Sequence, residues 1–435
     1  MKKAPSPIVS LIPIIVLVLL LFATIRTFGS DALSGGSQVS LLTTTAICIL
    51  IGMVFYKIPW KDYELAITNN IAGVATAIII LLIIGALSGI WMISGVVPTL
   101  IYYGMQIIHP SFFLASTCII CALISVMTGS SWTTIATIGI ALMGIGKAQG
   151  FEDGWIAGAI ISGAYFGDKI SPLSETTILA SSITDTPLFR HIRYMMITTV
   201  PSLVITLIIF TVAGFSHDAN NTQHIAEVAT ALNEKFHITP WLLIVPVATG
   251  ILIAKKVPSI VTLFLSTLLA AVFALIFQPD LLEEISGIAA SGFDSLFKGL
   301  MMTIYGETNL HTDNAVLTDL IATRGMSGMM NTIWLILCAM CFGGAMTASG
   351  MVGSITSIFV RFMKKTVSVV SATVCSGLFL NLTTADQYIS IILTGNMFRD
   401  IYAKKGYESC LLSRTTEDAV TVTSVLIPWN SCGMT

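Results

Sequence analysis

The chain has 435 residues, of which 55% are hydrophobic and only 10% are charged, and its formal net charge at pH 7 is −2. An ordinary soluble domain carries about 25% charged residues. This composition, with a mean hydropathy of +0.89, therefore excludes a soluble globular protein and is typical of a polytopic helical membrane protein. Its apolar runs are too long for the strands of a β-barrel, which alternate over about 10 residues.

Apolar segments recur along the whole chain and predict membrane helices. The first, 8–28, follows Lys2 and Lys3, and no convincing A-x-A cleavage site comes after it, so we expect an uncleaved first helix rather than a signal peptide. The others are 40–56, 67–108, 112–128, 132–146, 155–187 (interrupted), 194–215, 239–254, 258–277, 328–360, 367–382, 385–398 and 408–430. Segment 67–108 exceeds the roughly 20 residues that one span needs. Its glycines and Pro98 predict a bend, a tilt or a hairpin.

The distribution of Lys and Arg predicts the orientation of the chain. If each segment crosses once and the N-terminus is cytoplasmic, fourteen of the 21 Lys and Arg residues fall on the cytoplasmic side and five outside. Cytoplasmic loops of membrane proteins carry an excess of basic residues. The sequence therefore predicts a multi-pass protein of the cytoplasmic (inner) membrane with a cytoplasmic N-terminus.

The stretch Phe166–Thr177 is polar and charged, although it lies within a hydrophobic region. It contains Asp168, Lys169 and Glu175 together with several hydroxyl groups, and such groups are costly at membrane depth unless they contact water, an ion or each other. Pro172 removes a backbone donor and predicts a broken helix whose ends and carbonyls can face a ligand. The alternative is that the charges form structural pairs, Asp168 with Lys169 or Glu175 with Arg414.

Three further polar stretches interrupt apolar runs: Thr128–Thr134, Asn381–Gln387 and Leu412–Asp418. Hydroxyl and carbonyl oxygens are suitable ligands for a hard cation such as Na⁺. The alternative for the first stretch is that its hydroxyls bond back to helix carbonyls. Asp386 in the second stretch adds a carboxylate that its expected counterpart, Ala136, lacks.

Weak internal similarity predicts a duplicated chain. Gly89, Ser94 and Gly95 match Gly344, Ser349 and Gly350 at an offset of 255. The other matches are Thr133-Thr134 with Thr383-Thr384 at an offset of 250, and Ser171, Ser174 and Glu175 with Ser413, Thr416 and Glu417 at an offset of 242. Since equivalent loops fall on opposite sides of the membrane in the topology above, the repeat is predicted to be inverted, as in many secondary transporters.

Together these stretches resemble the NhaC-type sodium/proton antiporter family of the ion transporter superfamily. The resemblance lies in Gly85–Trp91, Tyr102–Gly104, Thr128–Thr134, Phe166–Thr177, Asp319–Met326, Thr384–Gln387 and Pro428–Gly433. It implies an inner-membrane transporter that exchanges Na⁺ for H⁺. Some members of such families couple Na⁺ and protons to small carboxylates such as malate and lactate, so the resemblance leaves a sodium-coupled exchanger of small organic anions as the alternative.

The expected fold is an all-α polytopic membrane protein with inverted-topology repeats and broken or re-entrant helices. We divide the chain into N-terminal helices (1–66), a first repeat half (67–193) with the polar motif 163–177, linking helices and loops (194–300), and a second repeat half (301–435) with the polar motif 381–418.

The polar stretches are expected to build one site in the interior of the protein. The predicted ion- and proton-binding residues are Asp168, Ser171, Ser174, Glu175, Thr176, Asp386, Glu417 and Asp418. The predicted supporting residues are Ser130, Ser131, Thr133, Thr134, Lys169, Asn381, Thr383, Thr384, Gln387 and Arg414. Burial disfavours the ionised form of a carboxyl group, so Na⁺ and protons can compete for one side chain.

The sequence contains no nucleotide-binding, hydrolase or dehydrogenase motif, and we expect a transporter rather than an enzyme. Na⁺ is the only metal expected, with no transition metal and no cofactor. The expected partners are the lipid bilayer, Na⁺ and protons, with a small carboxylate under the alternative function. No nucleic acid is expected, and a homodimer is left open.

Overall fold

The computed structural model describes residues 5–216, 222–255, 257–288, 292–308, 310, 312, 318, 321–355 and 366–433. The elements within these ranges are α-helices with short 3₁₀ and π turns. The helices are α1 Pro7–Phe28, α2 Gly36–Tyr56, α3 Trp60–Gly73, α4 Ala75–Ile93, α5 Val96–Ile107, α6 Phe113–Thr128, α7 Ser131–Thr134, α8 Ile140–Ala148, α9 Asp153–Ile170, α10 Glu175–Ile183, α11 Leu188–Ser216, α12 Thr222–Lys235, α13 Ile244–Ala254, α14 Ser259–Phe277, α15 Pro279–Ser286, α16 Phe293–Tyr305, α17 Gly325–Gly328, α18 Met330–Ala348, α19 Thr366–Thr384, α20 Gln387–Lys404, α21 Ser409–Thr416 and α22 Val422–Ser424.

Among the described residues, eight helices are long and apolar enough to cross a membrane. A ninth span results if the pair 227–235 and 240–254, bent by 91°, is counted as one broken span. The eight are Pro7–Phe28, Gly36–Tyr56, Ala75–Ile93, Pro110–Thr128, Leu188–Ser216, Ser259–Phe277, Gly325–Ala348 and Val367–Thr384. The predicted fold class, an all-α polytopic membrane protein with broken helices, is confirmed.

Segment 67–108, for which a bend, a tilt or a hairpin was predicted, is divided at Val74, between α3 and α4, and at Gly95, between α4 and α5. Gly95 has a φ of +83°, a left-handed conformation that glycine adopts without a steric penalty. The break within 155–187 lies at residues 171–174, between α9 and α10. Pro172 stands in this gap, as the missing backbone donor of proline predicts. The basic segment 361–365, used for the predicted orientation, lies outside the described residues.

The chain forms two compact units. The central unit comprises residues 79–175 and 195–329, and the terminal unit comprises residues 1–78, 176–194 and 330–435. In the central unit the core forms around Trp91, which is 1% exposed. Its indole N–H donates to the Ser266 hydroxyl at 3.1 Å, and Ser266 in turn lies 2.7 Å from the Thr249 hydroxyl. This chain of hydrogen bonds joins α4, α14 and α13.

Small residues bring two helices of the central unit into close contact. Gly163 and Gly167, one turn apart on α9, face the backbone of α6: a Cβ added to Gly163 would lie 2.1 Å from the carbonyl oxygen of Cys118, and one added to Gly167 would lie 2.3 Å from that of Ala122. This spacing is the small-xxx-small pattern of membrane helix pairs. The missing Cβ atoms therefore allow α9 to approach α6 closely.

In the terminal unit, α19 packs against both α20 and the helix that begins at Ser409. One apolar cluster contains Val369, Phe398, Tyr402 and Leu412. A hydrogen bond of 3.0 Å between the hydroxyls of Thr373 and Tyr402 joins α19 to α20 in the same region. These three helices carry most of the C-terminal residues singled out from the sequence.

Candidate functional site

The first polar turn of the central unit connects α6 to α7. Gly129 has a φ of +68°, and the Ser130 side chain then accepts a hydrogen bond of 3.2 Å from the backbone N–H of Thr133. The Thr128 hydroxyl accepts from the Ser130 N–H at 3.1 Å, and the Thr134 hydroxyl donates to the Ser130 carbonyl at 3.0 Å. A left-handed residue followed by a side-chain N-cap stops one helix and starts the next.

The terminal unit contains the same turn between α19 and α20. Ala385 has a φ of +56°, and the Asp386 carboxylate accepts a hydrogen bond of 2.8 Å from the Ile389 N–H. The Thr384 hydroxyl accepts from the Asp386 N–H at 3.5 Å, and the Ser390 hydroxyl donates to the Asp386 carbonyl at 2.7 Å. Each residue number equals that of its counterpart in the first turn plus 256.

The equivalence extends beyond these turns. At Gly95 and Gly350, both with positive φ, the offset is 255. Elsewhere the offset is 256. Three backbone hydrogen bonds recur where the helices α8 and α20 end: Gln149 N to Ile145 O matches Lys405 N to Ile401 O, Gly150 N to Lys147 O matches Gly406 N to Ala403 O, and Phe151 N to Gly146 O matches Tyr407 N to Tyr402 O. One bond from a side chain to the backbone recurs as well: Ser125 Oγ to Ala164 O matches Asn381 Nδ2 to Val420 O. One copy of the repeat therefore lies within each unit.

These equivalent bonds correct the residue matches that were predicted between the two copies of the repeat. The offset of 255 at the first match agrees with the structure, but the offsets of 250 and 242 are wrong. They paired residues of similar type, whereas the equivalent backbone positions carry different side chains. The second copy of Phe166–Thr177 is residues 422–433, with Pro428 in the place of Pro172, and not Leu412–Asp418, which lies in a continuous helix. The counterpart of Asp386 is Ser130, not Ala136.

In the central unit, Asp168 lies on the last turn of α9 and is 7% exposed. Its carboxylate accepts a hydrogen bond of 2.7 Å from the Ser131 hydroxyl, and it also bonds to the Ser174 hydroxyl and the Ser131 backbone N–H. Because Ser131 is the first residue of α7, the carboxylate lies at the N-terminus of a restarting helix, where the backbone dipoles favour negative charge.

In the terminal unit, Asp386 is 2% exposed and is itself the N-cap of α20. One carboxylate oxygen accepts from the Ile389 N–H, and the other accepts from the Ser431 hydroxyl at 3.2 Å. The backbone N–H of Ser431 donates to the Ala385 carbonyl at 2.9 Å. A carboxylate, a serine hydroxyl and a helix N-terminus thus come together here as well.

The two copies carry their carboxylate on different elements. With the offset of 256 residues, Asp168 on α9 corresponds to Ser424, and Asp386 at the turn corresponds to Ser130. Each unit therefore places one buried carboxylate at the start of the helix that follows the left-handed residue, although the carboxylate comes from a neighbouring helix in one unit and from the turn in the other.

The other predicted residues of the central unit differ in exposure. Lys169 is buried at 5% exposed. Ser171 is fully buried, and its hydroxyl donates to the Val126 carbonyl at 2.8 Å. The Thr133 hydroxyl donates to the Ser130 hydroxyl at 3.1 Å, so it belongs to the turn. Glu175 is exposed at the first position of α10.

The structure separates the predicted C-terminal residues into two groups. Asn381, Thr383, Thr384 and Gln387 lie buried beside Asp386, and the Gln387 side-chain carbonyl accepts a hydrogen bond from the Cys432 thiol.

The second group lies on the helix that begins at Ser409. Glu417 is fully buried there. Arg414 lies 4.0 Å from the half-buried Asp418 and 4.7 Å from the ring centre of Tyr194. Thr176 is buried in the same unit.

The predicted set lacked two residues at the Asp386 turn, Asn430 and Ser431. Asn430 is fully buried, and its side chain donates to the Asn381 carbonyl at 3.2 Å. The signal that points to both was Pro428, which repeats Pro172 and so sets the register of the second copy.

Removing the hydroxyl that bonds to each carboxylate is expected to weaken Na⁺ binding. Ser131→Ala and Ser431→Ala each delete a donor to a buried carboxylate that orients it in the site, and we expect the half-saturating Na⁺ concentration to rise about tenfold. The measurement is Na⁺-dependent proton flux as a function of Na⁺ concentration. Ser94→Ala serves as a control because Ser94 directly follows α4 and its hydroxyl donates to the Trp91 carbonyl of that helix. An unchanged Na⁺ dependence in both variants would contradict the expectation that these two hydroxyls orient Na⁺-binding carboxylates.

Comparison with known proteins shows which family the chain resembles. Residues 163–435 match the model of the Na⁺/H⁺ antiporter family. The chain is 35% identical over 394 residues to the Na⁺/H⁺ antiporter NhaC of Bacillus subtilis, covering 90% of this chain and 84% of that protein. It is 37% identical over 390 residues to NhaC of Alkalihalophilus pseudofirmus, covering 89% and 81%.

A second type of relative has a different substrate in its name. The chain is 36% identical over 399 residues to the malate-2H⁺/Na⁺-lactate antiporter of Bacillus subtilis, covering 91% of this chain and 82% of that protein. The stretch that matches the family model contains both Asp168 and Asp386. The chain therefore belongs to the Na⁺/H⁺ antiporter family.

Proposed function

We propose that the protein exchanges Na⁺ for H⁺ across the cytoplasmic membrane by alternating access, with its N-terminus in the cytoplasm. The observation that carries this proposal is the pair of buried carboxylates, Asp168 and Asp386, each at a broken helix and each bonded to a serine hydroxyl. Broken helices with buried acidic groups are typical of the ion sites of secondary transporters.

The oxygen atoms around each carboxylate suit a small hard cation. A carboxylate, a serine hydroxyl and the carbonyls freed at the helix break are ligands of the kind that Na⁺ accepts. When the carboxylate takes up a proton it loses its charge, and the bound Na⁺ loses its main electrostatic attraction. Na⁺ and H⁺ therefore compete for the same group. The proposal needs the lipid bilayer and the two transported ions, and no cofactor.

Reconstitution of the 435-residue chain into proteoliposomes tests the proposal. An outward Na⁺ gradient is expected to drive proton uptake into the vesicles with no organic substrate present. A pH-sensitive dye in the lumen reports the resulting acidification. Because protons compete with Na⁺, the apparent Na⁺ affinity is expected to fall as the pH is lowered. Vesicles without protein provide the baseline. An Na⁺ gradient that moves no protons at any pH between 6 and 9 would overturn the proposal.

A second candidate is the exchange of small organic anions coupled to Na⁺ or H⁺. It is favoured by the similarity to the malate-2H⁺/Na⁺-lactate antiporter and by the buried ammonium group of Lys169 beside Asp168, since a buried cation can recognise a carboxylate. The same vesicles distinguish the two functions. A strict requirement for malate or lactate on one side of the membrane would establish the second candidate and exclude the first.

A further inference from the structure

A second group of buried polar side chains lies inside the terminal unit, away from the Asp386 turn. It consists of Ser376 on α19, Thr394 on α20, Thr416 at the end of α21, and Glu417 and Thr421 in the π turn that follows; we call these residues the Glu417 cluster. Thr394 lies eight residues along α20 from Asp386, which corresponds to about 12 Å of helix. The cluster is therefore distinct from the turn site.

The hydroxyl groups of the cluster are buried without hydrogen bonds. Ser376, Thr394, Thr416 and Thr421 are each at most 1% exposed, and within the described part of the chain none of their side-chain oxygens has a hydrogen-bond partner. A buried hydroxyl without a partner is costly, because it gives up its hydrogen bonds to water and gains none in return. Other buried hydroxyls of the same helices do form bonds, as the 2.9 Å bond of Thr373 to the Val369 carbonyl shows.

The three helices meet at the level of the cluster because Gly377 leaves space there. A Cβ added to Gly377 would lie 2.8 Å from the Val420 side chain and 3.8 Å from the Thr394 hydroxyl. Ser376 precedes Gly377, and Thr416 lies one helical turn before Val420. The Thr394 hydroxyl and the Val420 side chain of the π turn therefore both lie beside Gly377 of α19.

The π turn supplies further oxygen atoms and a charge. Glu417 is its first residue and is fully buried, and Thr421 is its last. Hydrogen bonds from residue i to i+5 replace the usual i to i+4 bonds in a π turn, which displaces a backbone carbonyl from the regular ladder, and such turns are frequent at functional sites. On the same helix, Arg414 lies 4.0 Å from Asp418.

We infer that the Glu417 cluster is a second cation site, in which the Glu417 carboxylate and the hydroxyls of Thr394, Thr416 and Thr421 bind Na⁺. One carboxylate with several neutral oxygens is the ligand set that a hard cation requires. This inference rests on the proposed Na⁺/H⁺ exchange and adds a site separate from the Asp386 turn of the same unit.

Equilibrium binding of ²²Na⁺ to the purified chain in lipid nanodiscs tests the inference. The Asp168→Asn/Asp386→Asn double variant removes the carboxylates of both turns, and it is expected to retain saturable ²²Na⁺ binding at the Glu417 cluster. Adding Glu417→Gln is expected to abolish that binding. Adding Thr394→Val or Thr416→Val, which delete one hydroxyl each and keep the shape of the side chain, is expected to weaken it about tenfold.

Thr44→Val is the matched control, because Thr44 is fully buried and its hydroxyl donates to the Ser40 carbonyl of its own helix at 2.8 Å. The hydroxyl variants keep the test decisive if Glu417→Gln does not fold. No saturable ²²Na⁺ binding in the double variant, or binding that Thr394→Val, Thr416→Val and Glu417→Gln all leave unchanged, would overturn the inference. Wild-type vesicles without any Na⁺-driven proton flux would instead refute the proposed exchange.

Discussion

Asp168→Asn and Asp386→Asn are each expected to reduce Na⁺-driven proton flux at least 100-fold, to the level of vesicles without protein. Asparagine keeps the size and one acceptor oxygen of aspartate but neither its charge nor its ability to bind a proton. Losing a full charge from a buried cation site costs several kcal/mol of binding, and about 1.4 kcal/mol is a factor of ten. The measurement is lumenal acidification in proteoliposomes at matched protein content.

Both variants are expected to insert and fold, so the loss can be assigned to chemistry. Asn is as good an N-cap as Asp, and it can still accept the hydrogen bond from the Ile389 N–H. At position 168, its carbonyl can still accept from the Ser131 hydroxyl. Asp280→Asn, an exposed carboxylate in the first turn of α15, is the control and should retain full flux. If either turn variant keeps more than half of the wild-type flux, that carboxylate is not part of the mechanism.

Gly163→Val and Gly167→Val are expected to abolish the folded protein. The added Cβ atoms would lie 2.1 Å and 2.3 Å from backbone carbonyl oxygens of α6, and backbone cannot move aside as a flexible side chain can. Relief requires the two helices to separate, and overpacking of a well-packed interface typically costs 1–3 kcal/mol or more for each site. The measurement is the fraction of monodisperse protein in size-exclusion chromatography after extraction in mild detergent.

Gly158→Ala on the same helix is the matched control for this pair. Its nearest neighbour would be a ring carbon of Phe210 at 3.9 Å, which is an ordinary contact. We expect a normal yield and normal flux. Normal chromatograms for both valine variants would show that α6 and α9 do not need the close approach seen here. Any valine variant that folds is still expected to transport poorly, because α9 carries Asp168 to the Ser131 hydroxyl on α7.

Much of the fold followed from the sequence because the bilayer restricts the possible structures. Long apolar runs at membrane depth must be helical, since no water is present to satisfy the backbone. Proline at position 172 and the glycines at 163 and 167 each act through one local property, a missing donor or a missing Cβ. The break between α9 and α10 could therefore be predicted correctly, whereas the contact of α9 with α6 is known only from the structure.

The register of the repeat could not be predicted in the same way. Residue types suggested that Thr133 pairs with Thr383 and Glu175 with Glu417, but the backbone pairs Ser130 with Asp386 and Asp168 with Ser424. The correct matches can be read only from the hydrogen bonds of the turns. The sequence gives no sign that Ala385 adopts a left-handed conformation. The inverted orientation of the two copies and the cytoplasmic N-terminus stay predictions, since they depend on the bilayer and on loops beyond the described residues.

The prediction of one site built by all the polar stretches stays a prediction. The structure shows a hydroxyl–carboxylate pair within each unit, Ser131 with Asp168 and Ser431 with Asp386. Glu417 belongs to neither pair, because it lies on a different helix, inside the three-helix packing of the terminal unit. Sequence reasoning identified all three acids by their cost at membrane depth, but that cost does not reveal which acids share a set of neighbours.

The nearly constant offset of 255–256 residues between the copies has a consequence for the placement of the charge. From Gly95 to Pro172, and from Gly350 to Pro428, the two copies differ in length by a single residue. Over the same stretch, the acidic group moved from one helix in one copy to the neighbouring turn in the other. Between the two copies, backbone length is therefore preserved more strictly than the identity of the residue that bears the charge. Exchanging the residues at these two positions moves the anionic group and leaves the path of the chain unchanged.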